Sequence, residues 1–416
     1  MPSRGTRDVL PAESRVRARI ERAAAGLMAA YGFGRIATPT FEETEVFVRG
    51  VGTATDIVRK EMYTFTDKGG RSLTLRPEGT APVARAFVEH GMHKLPAPVK
   101  LWYLAPMFRF EAPQSGRFRE HWQVGAEAFG SEDPLLDAEM IALLAELYAA
   151  LGVPDVRLRL GSMGDDERRG PYRELLLAHL AAHADRLGPD ERERMRENPM
   201  RLFDAKDARV QEVMAGAPLL LDHLEAPARE HHERVKDALR ALGIPFEEDP
   251  RLVRGLDYYT RTVFEFTCDR LGAQSGIGGG GRYDGLVADL GGPPTPGVGF
   301  GTGVERITLA LEAAGAAAAG PVVDVYLAVP DPALRVGLLP LLAELRRAGV
   351  RVESDLRGRS LKAMLKHAAG LGAATVVIIG PREHQEGVAT VRDMGSGDQE
   401  QVPLADLAGR LIGAAA

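Results

Sequence analysis

His121-Trp122-Gln123-Val124-Gly125-Ala126-Glu127-Ala128-Phe129 is the stretch on which the fold turns. Side chains alternate across a strand with period two, so Trp122, Val124, Ala126 and Ala128 share one face. That face is apolar and belongs in a core. The other face carries His121, Gln123, Gly125, Glu127 and Phe129, and Gln123 and Glu127 flank a glycine that leaves room above the sheet. Taken alone, this second face reads as the solvated side of an antiparallel sheet in preference to a ligand platform. Just upstream, residues 99–107 are apolar and β-like and run into Phe108-Arg109. The polar residues 111–119 follow, with Pro113 and Gly116 as turn punctuation. Two strands around a polar loop predict a long antiparallel hairpin. Arg109, Arg117 and Arg119 bracket the loop. Guanidinium groups bind phosphate oxygens through paired N–H donors, so a bound anion is one reading and an ordinary surface loop the other.

Outward from the hairpin, residues 13–31 form an amphipathic helix pattern through Val16, Ile20, Leu27 and Tyr31, stopped by Gly32-Phe33-Gly34. Residues 35–39 read as a short strand ended by proline. Residues 134–152 are helical in pattern, as is the charged stretch 165–240, where Pro171, Pro189 and Pro199 mark boundaries. Strand signals return over 252–269, and residues 304–314 make a helix after a glycine-dense region. Residues 313–320 are small and low in complexity and read as a linker. Beyond it, strands at 324–329, 350–353, 375–379 and 388–392 alternate with helices at 333–348, 359–371 and 403–413, which predicts a mostly parallel sheet. The expected fold class is α+β. An antiparallel sheet with flanking helices is built from residues 1–164 and 241–318, a helical insertion covers 165–240, and a separate α/β domain covers 322–416.

Bulk composition sets outer limits. At roughly 100–200 residues per domain, 416 residues allow two to four domains. No run of 18 apolar residues occurs, so no membrane span is expected. The Arg-rich N-terminus is interrupted by Asp8, Glu13 and Glu21, unlike a transit peptide. The single cysteine, Cys268, excludes an intrachain disulfide and a cysteine-based zinc site, and it fits a reducing cytoplasm. His231 and His232 read as part of a surface helix, and no metal site is expected. A net charge of −6 does not advertise a nucleic-acid binder, but phosphate contacts need only a local basic patch.

Three further segments carry chemistry. Arg254-Gly255-Leu256-Asp257-Tyr258-Tyr259 places Arg, Asp and two tyrosines at a strand entrance. Gly278-Gly279-Gly280-Gly281-Arg282-Tyr283-Asp284-Gly285 lets backbone approach a ligand closely. Gly297-Val298-Gly299-Phe300-Gly301-Thr302-Gly303-Val304-Glu305-Arg306 is a glycine-rich strand opening into a helix. Neither glycine segment is a P-loop or a dinucleotide fingerprint, so a nucleotide site here is of another kind.

Together these segments resemble the class II aminoacyl-tRNA synthetases, and specifically the histidyl-tRNA synthetase family, over nearly the whole chain. Residues 5–11 look like the family's opening. The strand ending at Pro39 resembles motif 1 at a dimer interface, Phe108-Arg109-Phe110-Glu111 with the hairpin resembles motif 2, and residues 301–306 with their helix resemble motif 3. Thr74-Leu75-Arg76-Pro77-Glu78-Gly79-Thr80 is also typical. The segments at 254–259 and 279–285 look like the two histidine-specific motifs, the first being the more diagnostic.

The resemblance implies a homodimer that activates histidine with ATP and magnesium and transfers it to tRNA(His). It implies Arg109 and Arg254 at the α-phosphate, Arg254 standing where related enzymes use a metal ion. Glu111 would take the adenine amino group, and Arg117 and Arg306 the distal phosphates and adenine. Glu78, Thr80 and Gln123 would hold the substrate amino group, Glu127 and Tyr259 the imidazole with Tyr258 nearby, and Gly125 would clear the floor for the ring. Gln114 would read the acceptor end, although Ala112 stands where many bacterial members carry arginine. Arg357, Arg359, Lys362 and Lys366 form a basic patch on the C-terminal domain, which resembles the family's anticodon-binding domain. The alternatives are a catalytically inactive, synthetase-like regulatory subunit of ATP phosphoribosyltransferase and another class II synthetase such as a prolyl or threonyl enzyme. Retention of Arg109, Glu127, Arg254, Tyr259 and Arg306 weighs against the first, and the 254–259 segment against the second.

Overall fold

The structure is a computed structural model, and it describes residues 2–52, 55–111, 116–165, 169–205, 207–272, 274–316 and 322–415. The chain divides into two compact units, Met1–Ala318 and Ala319–Ala416.

Among the described residues the first unit has eleven strands: β1 (Gly34–Arg35), β2 (Phe41–Glu43), β3 (Tyr63–Thr66), β4 (Ser72–Leu75), β5 (Val99–Phe108), β6 (Glu120–Phe129), β7 (Val156–Ser162), β8 (Glu247–Glu248), β9 (Thr260–Cys268), β10 (Gly276–Arg282) and β11 (Gly297–Gly303). Eight form one sheet in the order β1-β5-β6-β11-β10-β9-β7-β8. Its inner pairings are antiparallel, and only the edge strands β1 and β8 join in parallel. The predicted hairpin is β5–β6, in register from Val99 opposite Phe129 to Phe108 opposite Glu120. β2, β4 and β3 make a separate three-stranded sheet, which the pattern of residues had not revealed.

Both faces of the large sheet are covered. On one, Val124, Ala126, Ala128, Phe264, Phe266, Val298 and Phe300 pack with residues of the Pro11–Ala30, Pro134–Leu151 and Val304–Ala313 helices. The first of these helices starts on Pro11, where the missing N–H costs nothing, and buries Val16, Ile20, Ala24 and Met28 at helical spacing. On the other face, Tyr103, Phe129, Tyr259, Val263 and Tyr283 cluster with Val83, Ala84 and Phe87 of the Thr80–Glu89 helix. The Gly125–Phe129 end of the polar side of β6 is therefore buried, whereas His121 and Gln123 are only half-buried.

Several boundaries differ from expectation. The strand expected over 35–39 is only the two-residue β1, and the one expected over 252–269 begins at Thr260. Residues 252–259 are loop, tied down by side chains instead of a ladder. Residues 170–241 contain the Gly170–Ala182, Pro189–Glu197, Ala208–Ala215 and Ala226–Ala241 helices. His231 and His232 lie on the last of these and are buried, not surface residues: His231 Nε2 is 2.7 Å from Asp137 Oδ2, and His232 Nε2 is 2.8 Å from Glu248 Oε1. Among the described residues, no helix is long and apolar enough to cross a membrane.

The second unit has β12 (Val325–Ala328), β13 (Val352–Ser354), β14 (Thr375–Ile378), β15 (Val388–Asp393) and β16 (Gln399–Pro403) in the order β13-β12-β14-β15-β16. The β12 pairings with β13 and β14 are parallel, whereas β14–β15 and β15–β16 are antiparallel. The sheet is thus mixed, because β15 runs antiparallel to β14 and the unforeseen β16 adds a second antiparallel pairing. The closing helix starts at Leu407, not 403.

One buried ionic cluster fastens the first unit together. Asp137, on the Pro134–Leu151 helix, and Arg282, at the end of β10, are both fully buried and form an ion pair. Asp137 Oδ2 also accepts from Thr262 at 2.6 Å, and Arg282 Nη1 donates to the Ser131 carbonyl at 2.8 Å. Breaking a buried pair strands its remaining charge, so Arg282→Met is expected to lower unfolding free energy by about 3–5 kcal/mol in urea denaturation. A loss below about 1 kcal/mol, typical of exposed pairs, would contradict this.

Candidate active site

A cleft of about 680 Å³ opens over β6, β10 and β11. Arg109, Glu111, Arg117, Gln123, Arg254 and Arg306, expected from sequence to form one site, all line it. Each arginine except the exposed Arg117 is braced by the frame. Arg109 Nε donates to the Pro77 carbonyl at 2.7 Å, Arg306 Nε to the Gly276 carbonyl at 3.1 Å, and Arg254 Nη1 to Glu265 Oε1 at 2.8 Å. Arg117 reaches Glu111 at 3.1 Å. Guanidiniums held this way around one cleft are of a kind that can receive a polyanion. His121 also lines the cleft, and burial together with the nearby Arg109 pushes its pKa down to about 3, so it is neutral at physiological pH.

Glu127 sits away from this open cleft, with no exposed surface. Its Oε1 accepts from the Thr80 hydroxyl at 2.8 Å and from the Tyr103 hydroxyl at 3.3 Å, and its Oε2 accepts from the Tyr283 hydroxyl. Burial pushes its pKa up from the ordinary 4.5 to about 8, against the pull of those hydroxyls. Tyr258 stacks edge-on against Tyr259 and Tyr283, with ring centroids 4.7 and 5.5 Å away. Glu78 is buried and receives the Thr80 and Ala81 amides at 2.7 and 2.9 Å, capping the Thr80–Glu89 helix. Burial raises its pKa despite those amides.

Glycines set how closely these groups approach. A Cβ on Gly125 would collide with the Tyr103 ring, which lies across it, so this glycine seats a tyrosine rather than clearing a floor for substrate. A Cβ on Gly299 would collide with the Glu127 carboxylate, and one on Gly279 or Gly281 would crowd Arg254 or Tyr259.

Tyr103, Tyr283 and Glu265 were given no role from sequence. Tyr283 was in a quoted motif, and the hairpin register, which sets Tyr103 opposite Gly125, carried the signal for Tyr103. Gln114 lies outside the described residues. In the second unit Arg357, Lys362 and Lys366 are exposed, whereas Arg359 is held by Asp355 at 2.7 Å and is not a free cation.

An antiparallel sheet carrying braced arginines on its open face and a buried acid beside tyrosines defines the catalytic unit of a class II aminoacyl-tRNA synthetase. The comparisons agree. The family model described as histidyl-tRNA synthetase matches residues 5–168 and 171–307, and that described as anticodon binding domain matches 325–413. A histidine–tRNA ligase of Geobacillus thermodenitrificans is 49% identical over 415 residues, covering 98% of this chain and 97% of its own. Another, from Geobacillus kaustophilus, is 50% identical over 411 residues, with 97% and 96% covered. The crystal structure of apo S. aureus histidyl-tRNA synthetase aligns over 99% of both chains with a TM-score of 0.81 and 36% identity. The chain belongs to the histidyl-tRNA synthetase family.

Glu127 links the site to pH. Its folded pKa is above its unfolded one, so the native state keeps a proton that the unfolded chain releases between pH 4.5 and about 8. Stability therefore falls as pH rises through that window. Glu127→Gln is expected to raise the melting temperature, by little near pH 4.5 and fully above about pH 8. A gain that does not change with pH would contradict the buried-acid assignment.

Proposed function

We propose that the chain activates histidine with ATP to give histidyl-adenylate and pyrophosphate, then transfers histidine to the 3′ end of tRNA(His), as a cytoplasmic homodimer. The observation that carries the histidine assignment is the fully buried Glu127 carboxyl set among the Tyr103, Tyr258, Tyr259 and Tyr283 cluster. Glu127 accepts one ring N–H of histidine there, and the Tyr259 hydroxyl meets the other ring nitrogen. An amino acid without those ring nitrogens would strand both buried partners, which can cost discrimination of 10⁴-fold or so, roughly. Glu78, Thr80 and Gln123 take the α-amino group. Thr80 is already bonded to Glu127, which couples the amino and imidazole ends of the pocket.

The carboxylate of histidine attacks the α-phosphate in line, and pyrophosphate leaves. The protein's work is to position the two reactants and to stabilise anionic charge. ATP enters as its magnesium complex. Arg109 and Arg254 hold the α-phosphate, Arg306 and Arg117 the distal phosphates and adenine, and Glu111 the adenine amino group. Gln114 meets the acceptor end of the tRNA, and Arg357, Lys362 and Lys366 offer cations to its backbone; Arg359 orders the loop through Asp355. The exposed, edge-to-face pair Phe41 and Phe65, with centroids 6.2 Å apart on the small sheet, favours a buried subunit interface there.

Purified protein is expected to charge a tRNA(His) transcript with labelled histidine. No charging by folded protein would favour the regulatory paralogue of ATP phosphoribosyltransferase. Arg254→Ala is expected to slow single-turnover adenylate formation by about 10²-fold or more, with histidine binding still measurable. Near-normal turnover would remove Arg254 from the α-phosphate.

A further inference from the structure

Asp257 lies between the residues assigned to phosphate and to imidazole, yet the mechanism gives it nothing to do. Its side chain is engaged by the helical stretch 165–240. Asn198 Nδ2 donates to Asp257 Oδ1 at 3.0 Å, and Arg201 Nη2 donates to the same oxygen at 3.1 Å. Arg201 Nη2 also reaches the Gly255 carbonyl at 3.1 Å. From the catalytic side, Asp257 N donates to the Val51 carbonyl at 3.3 Å, and a Cβ on Gly52 would press on the Asp257 carboxylate at 2.9 Å.

The far end of the same loop is gripped in a similar way. Arg169 Nη2 donates to the Tyr259 carbonyl at 2.8 Å, and Arg261 Nε donates to Asp165 Oδ1 at 2.6 Å. Arg261 has φ 44°, in the left-handed region that non-glycine residues seldom occupy. Two backbone bonds hold it there, from Arg261 N to the Gly164 carbonyl at 2.8 Å and from Met163 N to the Arg261 carbonyl at 2.6 Å.

Residues 252–259 belong to no strand, so these side-chain bonds stand where a ladder would otherwise fix the backbone. We propose that Asn198 and Arg201 are positioning residues, through which the helical insertion clamps Asp257 and so places Arg254 and Tyr259 for histidine activation, before any tRNA is present. This rests on the reading of the 254–259 loop as the histidine-binding element. The bonds are charge-assisted, and a misplacement of about 1 Å in a reacting group can cost about 10²-fold in rate. The insertion then acts on the amino acid step, in addition to any contact it makes with nucleic acid.

The test is histidine-dependent ATP–pyrophosphate exchange by the full-length chain without tRNA. Arg201→Ala and Asn198→Ala are each expected to raise KM for histidine by about tenfold through Tyr259 and to lower kcat through Arg254, with a smaller rise in KM for ATP because Arg109 and Arg306 lie off the loop. Arg201→Lys should recover part of the loss. Combining Arg201→Ala with Asp257→Ala should cost less than the sum of the two single changes, since both break the Arg201–Asp257 contact. Arg186→Ala, which breaks the Arg186–Glu212 pair elsewhere in the insertion, should leave exchange unchanged. Thermal unfolding of each variant separates a shifted loop from a lost fold, and Asn198→Ala removes no charge. Wild-type exchange kinetics in both Arg201→Ala and Asn198→Ala, with only tRNA charging impaired, would overturn the proposal. Absence of histidine exchange in the wild-type chain is the separate failure of the histidine reading itself.

Discussion

A carboxyl group with no access to water must find its partners inside the protein, and Glu127 finds them on three separate elements. Thr80 comes from the first turn of a helix, Tyr103 from β5 and Tyr283 from the residue after β10. An unpaired buried carboxylate would cost several kcal/mol, so the three hydroxyls must all arrive together. Much of the surrounding construction serves that end. Gly125 lets the Tyr103 ring cross β6, Gly299 leaves space for the carboxylate, and the Asp137–Arg282 pair fixes the strand end from which Tyr283 departs. The pocket is stable because its parts satisfy one another.

The same logic explains which features could be read from the sequence. The hairpin was legible because alternation in β6 is strict and its loop is punctuated by proline and glycine. The Gly125–Phe129 end of its polar face is buried beneath the Thr80–Glu89 helix, and burial by a distant segment leaves no mark on the local pattern. His231 and His232 were misjudged for a related reason: their helix is polar in composition, but its inner face meets Asp137 and Glu248, so polar groups pair within the fold. β16 is exposed at four of its five residues and carries no apolar signature, which is why the second unit was expected to be mostly parallel. The cleft arginines were found because each sits in a motif that resembles a known family. The Tyr103 and Tyr283 hydroxyls on Glu127 were missed because their importance comes from convergence in space.

The loop at 252–259 joins these themes. It resembles a strand in its apolar start, but it is held by side chains of the helical insertion and by a strained Arg261. A segment fixed by a few charged contacts can be set accurately and can also be shifted by whatever moves the insertion. Strand pairing would have made it rigid and deaf to the insertion. Arg254 and the two tyrosines thus stand on the part of the catalytic unit whose placement depends most on long-range side-chain bonds.

The claim that Glu127 and its neighbours select histidine is tested most directly by amino-acid-dependent ATP–pyrophosphate exchange, run with purified protein against each of the twenty amino acids. The account predicts exchange with histidine alone. Exchange with a different amino acid would keep the class II chemistry but contradict the pocket built around Glu127 and Tyr259, and folded protein that exchanges with none would contradict catalysis itself.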